Sequence, residues 1–164
     1  MKNIIILVPS FSPTGPVKGA IALANLLSSD ASLCVILVSL RDGAGHNCDV
    51  SPKIKQVNLG EKWNIRLLQS FSAKLNKLHN SDNSVIISCC FSADLLTALY
   101  RTNTKKIANV RGDLFKNYFY TYGLLGSVLA FFHLLLFKRF DKVVALNNQM
   151  KKNMLPFLKN EPLI

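Results

Sequence analysis

Acidic side chains are scarce in this sequence. Its 164 residues contain 9 Asp and Glu against 20 Lys and Arg, which gives a formal net charge of +11 at pH 7. Such an excess favours anionic partners such as phosphorylated substrates, anionic lipid or nucleic acid, although a solvated basic face carries the same charge. Zinc-finger spacing, a basic heptad helix and an aromatic RNA-recognition motif are all missing. We therefore expect no nucleic-acid partner.

Cysteine pairs and metal-ligand motifs are missing as well. None of the four cysteines forms a CxxC pair, and the three histidines show neither HxxH nor HxxxH spacing. Cys34, Cys89 and Cys90 stand in apolar runs, where cysteine behaves as a small core residue. The opening MKNIIILVPS lacks a small-residue cleavage site and predicts a first strand rather than a signal peptide. The sequence thus predicts a cytoplasmic protein with reduced thiols, no metal and no cofactor.

The loop after this first strand carries no nucleotide fingerprint. The stretch LVPSFSPTGPVKGA contains neither G-x-G-x-x-G nor G-x-x-x-x-G-K-[ST], which disfavours a nucleotide-binding oxidoreductase and a P-loop protein. It does place Gly15, Pro16, Lys18 and Gly19 at the start of a predicted helix. Free backbone N–H groups and the helix dipole at such a point favour an anion or a sugar hydroxyl.

The chain consists of apolar segments that alternate with helical patterns. Most of the apolar segments are continuous rather than alternating, which indicates strands that are covered on both faces. This order predicts one α/β domain, a doubly wound parallel sheet with ligands at the carboxyl ends of its strands. The predicted strands are 3–8, 33–40, a weaker edge strand 54–59, 85–89, 106–110 and 142–146; the predicted helices include 20–28, 64–79 and 92–101, the last with Ser92 as N-cap; residues 42–52 are predicted as a flexible loop.

Polar residues follow two of the predicted strands. Arg111 and Asp113 come directly after strand 106–110, at the end where open α/β sheets bind ligands. Arg111 is suited to a phosphate and Asp113 to a hydroxyl, although the two side chains could equally pair with each other. A third loop, 88–94, ends the preceding strand and adds Ser92 to the candidate substrate contacts.

Within residues 122–140, YGLLGSVLAFFHLLLFKRF, a run of apolar or small residues that ends before Lys138 and Arg139 is interrupted by His133 alone. About fifteen apolar or small residues are fewer than the ~20 that a membrane-spanning helix needs. The apolar residues surround most of the predicted helix, and basic residues flank it, which favours a helix that lies at a membrane interface. The alternative is a core helix that covers the sheet. His133 is expected to be a packed histidine. The predicted membrane contacts are Leu124, Leu125, Phe131, Phe132, Lys138 and Arg139.

Taken in order, these segments resemble a known family. The glycine-bearing first loop is followed by an apolar LANLL helix, and the chain closes with FDKVVALNNQMKKNM, which is similar to a family pattern aD-x-v-i-a-x-S-x-x-m. Both resemble the N-terminal, acceptor-side domain of GT-B glycosyltransferases, specifically glycosyltransferase family 4, over essentially the whole chain. Gly15-Pro16 stands where that family often has two glycines, and Asn147 where it has serine.

The resemblance implies a Rossmann-like domain that faces a second one across a cleft. It implies that Gly15 and its neighbours contact the acceptor and the donor diphosphate. It also implies that Arg111, Gly112 and Asp113 reach the cleft, with Asp113 as the candidate catalytic residue. The implied reaction transfers a sugar from a nucleotide-sugar to a glycan or lipid-linked acceptor, as in polysaccharide or lipopolysaccharide synthesis, usually without a metal.

The resemblance extends only to the acceptor side, because the acidic E-x7-E motif of the donor domain has no counterpart in the sequence. We therefore expect that the chain alone transfers no sugar and that it works with a donor domain or a partner subunit, at the inner face of the cell membrane. The alternative is a non-catalytic, membrane-associated binding or scaffold protein with the same fold.

Overall fold

The computed structural model describes residues 1–43, 49–60, 65–78, 83–158 and 163, with the side chains of 65–69 left out. Strands and helices alternate along the chain, as predicted from the sequence. The elements are β1 Lys2–Val8, α1 Gly15–Leu27, β2 Leu33–Ser39, β3 Lys55–Asn58, α2 Ile65–Asn76, β4 Ser84–Ser88, α3 Phe91–Leu99, β5 Lys105–Val110, α4 Leu114–Tyr122, α5 Leu124–Leu136, β6 Lys142–Ala145 and α6 Asn148–Met154.

The six strands form one parallel sheet in the order β3-β2-β1-β4-β5-β6. This is the strand order of Rossmann-like doubly wound folds, which confirms the predicted fold class. The central strand β1 pairs with β2 on one side and with β4 on the other. Its five residues from Ile4 to Val8 are all buried, because helices cover both faces, and this burial explains why its apolar run is continuous. The weak strand β3 lies at the edge, as predicted.

Alternate residues of β1 enter two different cores. Ile4, Ile6 and Val8 pack with α1 on one face of the sheet. Ile5 and Leu7 pack on the other face, with residues of α2 and α3. A third cluster joins β5 and β6 to α5 and α6. The doubly wound arrangement follows from this alternation, since side chains of a strand point to opposite faces in turn.

Two of the sequence predictions on helices need correction. Helix α1 begins at Gly15, five residues before the predicted start, because Pro16 fits the first turn of a helix. The single helix predicted for 122–140 is a hairpin of α4 and α5, and α4 itself was not predicted. Gly123, with φ of +59°, breaks the run between them, a backbone conformation that glycine adopts without strain.

The two helices of this hairpin pack unusually closely at Gly126. A Cβ atom placed on Gly126 would overlap the backbone carbonyl group of Tyr118 and lie 2.9 Å from the nitrogen of Phe119. Glycine is therefore required where α5 crosses α4. A short 3-10 helix, Phe137–Arg139, then leads from α5 to β6.

Two predicted segments lie partly outside the described residues. Helix α2 has Phe71 and Leu75 buried as predicted, but it ends at Asn76, before the predicted end at 79, and residues 77 and 78 form a turn. Asn64, His79 and the side chain of Leu68 are not described. Of the predicted flexible loop 42–52, residues 44–48 are outside the described part of the chain.

Candidate functional site

The candidate site lies at the carboxyl edge of the sheet. The strand order reverses between β1 and β4, since the chain continues from β1 towards β2 and from β4 towards β5. The loops after these strands diverge to opposite sides and leave a crevice between them, which is where open α/β sheets bind their ligands. The β4–α3 turn and the loop between β5 and α4 both end in this region.

A tight and strained turn joins β4 to α3. Cys90 has φ of +76° and is the one non-glycine residue with positive φ in the described part of the chain. Such a conformation costs free energy and is concentrated at functional sites. Cys90 is also the N-cap of α3 and provides no side-chain hydrogen bond to the helix. The prediction that Ser92 is this N-cap is therefore wrong, because the helix begins one residue before it, at Phe91.

The crevice encloses a cavity of about 350 Å³. Helices α1, α3, α4 and α5 and the end of β5 all contribute to its wall. Most of the wall is aromatic or carries neutral polar groups, with a single arginine. The residues that line it are Pro16, Cys90, Phe91, Asp94, Asn109, Val110, Arg111, Gly112, Leu114, Asn117, Tyr118, Thr121, Tyr122 and His133.

Arg111 lies across the first turns of α1. A Cβ atom on Gly19 would be 2.5 Å from Cζ and 3.0 Å from Nε of Arg111, so the absence of a side chain at Gly19 creates the space that the guanidinium occupies. The Nε atom is buried and has no hydrogen-bond partner among the described residues. A buried donor without a partner costs free energy unless a ligand or water satisfies it. Arg111 is thus well placed to donate to a ligand.

A chain of hydrogen bonds runs from the protein interior to the cavity. Nε2 of His133 lies 2.8 Å from Oδ2 of Asp94, and the hydroxyl of Tyr118 lies 3.1 Å from Nδ1 of His133. The other carboxylate oxygen of Asp94 accepts from the hydroxyl of Ser88. Asp94 and His133 are only 3% and 2% exposed. Both oxygens of the buried carboxylate are thereby satisfied within the protein.

The two adjacent cysteines at this edge are poor nucleophiles. Burial raises the pKa of the Cys90 thiol to about 11 and that of Cys89 to about 12, with the negative charge of Asp94 as the second cause. The positive charge of Arg111 acts in the opposite direction but is the smaller effect. Since the thiolate is the reactive form, we expect both thiols to react only slowly at neutral pH.

The structure brings some of the predicted substrate contacts to the cavity and leaves others away from it. Pro16, Arg111 and Gly112 line the cavity. Gly19 lies against the guanidinium of Arg111 and so contributes to the cavity only indirectly. Within the described chain, Gly15, Lys18 and Ser92 are not among the lining residues.

Asp113, the candidate catalytic residue, does not pair with Arg111. Its Oδ1 accepts from the backbone N–H of Lys116 at 3.2 Å and so caps α4. Its Oδ2 accepts from the amide of Asn153 at 3.3 Å. Both oxygens of this carboxylate therefore have structural partners, and a role of Asp113 in chemistry stays a prediction.

Asp94 and Tyr118 were not singled out from the sequence, and His133 was expected only to be packed. It is indeed buried, against the rings of Phe91 and Phe137, but it also lines the cavity. The available signal was a lone imidazole in an apolar run, because a buried polar group requires a partner. The partner itself, 39 residues earlier in the chain, could not be identified from sequence spacing.

The outer surface of the α4–α5 hairpin is apolar. Leu124 and Leu125 are 82% and 74% exposed, and the predicted contacts Phe131, Phe132, Lys138 and Arg139 are exposed as well. We call this surface the outer apolar face; it also includes Tyr120, Val128 and Leu129. Within the described part of the chain, none of the helices combines the length and the apolar character that crossing a bilayer requires.

Among the described side chains, no three of the types His, Cys, Asp and Glu gather where they could hold a metal ion. In comparisons with protein-family models and with curated protein sequences, no family model and no curated sequence matches this chain.

Proposed function

We propose that this chain is the acceptor-binding half of a glycosyltransferase that moves a sugar from a nucleotide-sugar to a glycan or lipid-linked acceptor. The observation that carries the proposal is the cavity at the carboxyl edge of the sheet, with Arg111 as its cation. The nucleotide-sugar is held by a second domain or a partner subunit, as in the family that the sequence resembles.

The charge of the cavity favours a phosphorylated ligand. Asp94 is the one acidic residue among those that line it, and both of its oxygens are bonded to Ser88 and His133. The Nε donor of Arg111 has no hydrogen-bond partner among the described residues, and the planar donors of its guanidinium match the oxygens of a phosphate.

The remainder of the wall suits the sugar part of such a ligand. Asn109, Asn117 and Thr121 provide amide and hydroxyl groups, and Phe91 and Tyr122 provide aromatic surface. A few polar groups among apolar and aromatic ones are typical of cavities that orient small molecules. Sugar phosphates and lipid-phosphate-linked sugars combine these two requirements in one molecule.

Calorimetry with the purified chain tests this proposal. The probes are glucose 1-phosphate, galactose 1-phosphate and N-acetylglucosamine 1-phosphate, with free glucose and inorganic phosphate for comparison. We expect at least one sugar phosphate to bind more tightly than either fragment. Arg111→Ala should weaken binding at least tenfold, since a hydrogen bond to a charged group contributes about 1.5–3 kcal/mol.

Arg101→Ala is the matched control, because Arg101 is exposed and follows the distant end of α3. It should bind as the unaltered chain does. Failure of all three sugar phosphates to bind, or equal losses in the two arginine variants, would contradict the proposal. If the purified chain transferred sugar with no partner present, the proposal that this chain supplies only the acceptor-binding half would be contradicted.

The second candidate function is a non-catalytic, membrane-associated scaffold, and the outer apolar face favours it. Exposed leucine and phenylalanine side chains beside Lys138 and Arg139 are typical of helices that lie in the interface of an anionic membrane. Flotation with liposomes that contain phosphatidylglycerol, at low and at moderate salt, tests this contact.

The double variant Leu124→Ser with Leu125→Ser should lose flotation. Leu26→Ser is its control, since Leu26 is 72% exposed on α1, away from this face. Absence of flotation at either salt concentration would remove membrane contact. Flotation without any sugar-phosphate binding would favour the scaffold over the transferase half.

A further inference from the structure

The hydrogen-bond chain Asp94–His133–Tyr118 restricts the positions that its protons can take. A carboxylate only accepts hydrogen bonds, so Nε2 of His133, at 2.8 Å from Asp94, carries a proton. In the neutral imidazole the other nitrogen, Nδ1, then has none and accepts from the hydroxyl of Tyr118 at 3.1 Å. In that tautomer the single hydroxyl proton of Tyr118 is directed at His133 and not at a ligand.

The phenol of Tyr118 is held in this state by its surroundings. Burial, followed by the negative charge of Asp94, raises the pKa of this phenol above its ordinary value, so it keeps its proton at neutral pH. Its ring is packed edge-to-face against Phe91 and His133 and stacks on Tyr122. The ring cannot turn without losing these contacts, and the lone pairs of its oxygen are the part of the hydroxyl left for a ligand.

This acceptor differs from the other group that anchors a ligand in the cavity. Arg111 can only donate, and it matches phosphate oxygens. The hydroxyl oxygen of Tyr118, whose own proton is donated to His133, accepts instead from a donor on the ligand. Sugars offer such donors as hydroxyl groups, whereas ether oxygens and the oxygens of a fully ionised phosphate are acceptors only.

We infer that the Asp94–His133–Tyr118 chain makes the Tyr118 oxygen a specificity-determining acceptor for one hydroxyl group of the sugar that occupies the cavity. His133 and Asp94 are positioning residues in this inference, because they act through Tyr118. The inference rests on the proposed function, since it concerns the sugar part of the same ligand.

A first measurement needs no ligand. Long-range ¹H–¹⁵N spectra of the chain labelled with ¹⁵N-histidine report which ring nitrogen carries the proton, and a His133→Gln variant assigns the signal. We expect the Nε2–H form of His133 at pH 7.5. A proton on Nδ1, in the neutral or the cationic ring, would overturn the inference, because Tyr118 would then accept from His133 and turn its own proton towards the cavity.

The second measurement is a cycle of ligand and protein changes. The probe is whichever of the three sugar phosphates binds, together with its monodeoxy analogues, each without a different hydroxyl. We expect one analogue to bind the unaltered chain about three- to tenfold more weakly, as for the loss of a single neutral hydrogen bond. Tyr118→Phe should bind the parent sugar phosphate with the same loss, and should no longer distinguish it from that analogue.

Tyr120→Phe is the control, since Tyr120 is exposed on the outer apolar face and should behave as the unaltered chain. Retained discrimination in Tyr118→Phe, or equal affinity of all analogues for the unaltered chain, would overturn hydroxyl recognition while the loss in Arg111→Ala still supports the proposed function. Failure of every sugar phosphate to bind would overturn both. If Tyr118→Phe does not fold, the analogue series on the unaltered chain and the histidine spectrum still test hydroxyl recognition by Tyr118.

Discussion

Replacing Gly19 by alanine should separate stability from ligand binding. Gly19 lies inside α1, where alanine is more favourable than glycine by about 0.8–1 kcal/mol. The new Cβ would lie 2.5 Å from Cζ of Arg111, so the guanidinium must leave its position. Because the atoms that move are the end of a flexible side chain, and Nε has no hydrogen bond to lose, we expect the free energy of unfolding to rise by about 0.5–1 kcal/mol.

The affinity for sugar phosphate should change in the opposite direction. A displaced Arg111 would lose the charged hydrogen bonds that we propose it donates to the ligand, which corresponds to about 1.5–3 kcal/mol, or roughly a ten- to hundredfold weaker complex. Urea unfolding followed by circular dichroism measures the first quantity, and calorimetry with the sugar phosphate measures the second. Inorganic phosphate serves as the probe of the anion contact alone.

Gly15→Ala is the matched control for this experiment. It makes the same change in the first turn of the same helix, but a Cβ atom there meets no atom within 4 Å. Its ligand affinity should equal that of the unaltered chain. The reasoning fails if Gly19→Ala destabilises the protein, or if it is more stable and binds sugar phosphate as before, since Arg111 would then not depend on the space above Gly19.

Three further changes test separate parts of the structure. Gly126→Ala should lower the free energy of unfolding by about 1–3 kcal/mol, because its Cβ overlaps the backbone of Tyr118; an unchanged thermal midpoint would contradict the close helix crossing. Cys90, with its pKa raised to about 11, should react with iodoacetamide at pH 8 about a hundredfold more slowly than an ordinary cysteine, and its rate should rise about tenfold for each pH unit up to pH 11. Peptide mass mapping measures this rate. Rapid labelling of the folded chain at pH 8 would contradict burial of the thiol. Asn147→Ala removes the side chain that accepts from the backbone N–H of Met150 at 2.9 Å and should cost about 1 kcal/mol in urea unfolding, whereas no change would mean that this cap contributes nothing.

The strands could be predicted because strands that are buried on both faces have continuous apolar runs in the sequence. All six were placed within one residue of their observed ends, and the order of elements indicated the parallel sheet. The α4–α5 hairpin was missed for a physical reason. Its two helices are separated only by the backbone conformation of Gly123, and apolar periodicity alone does not reveal a change of direction.

The candidate site was predictable where a single loop determines it. Arg111 and Gly112 follow a strand directly, so their position at the carboxyl edge could be derived from the order of the elements. The pairing of Asp94 with His133 depends instead on how α5 packs against α3. The sequence shows two isolated polar residues in apolar surroundings, and only the packing of the helices brings them together.

Helix α5 connects the interior of the site to the outside of the molecule. One side of it holds the imidazole of His133 at the cavity wall, and the other side carries the exposed leucines of the outer apolar face. At Gly126 its backbone is in direct contact with that of α4, the helix that bears Tyr118. Any surface or partner that shifts α5 therefore shifts the geometry of the hydrogen-bond chain as well. If a partner on the outside shifted α5 in this way, its binding and that of a ligand in the cavity would be thermodynamically linked, and each would alter the affinity for the other by the same factor.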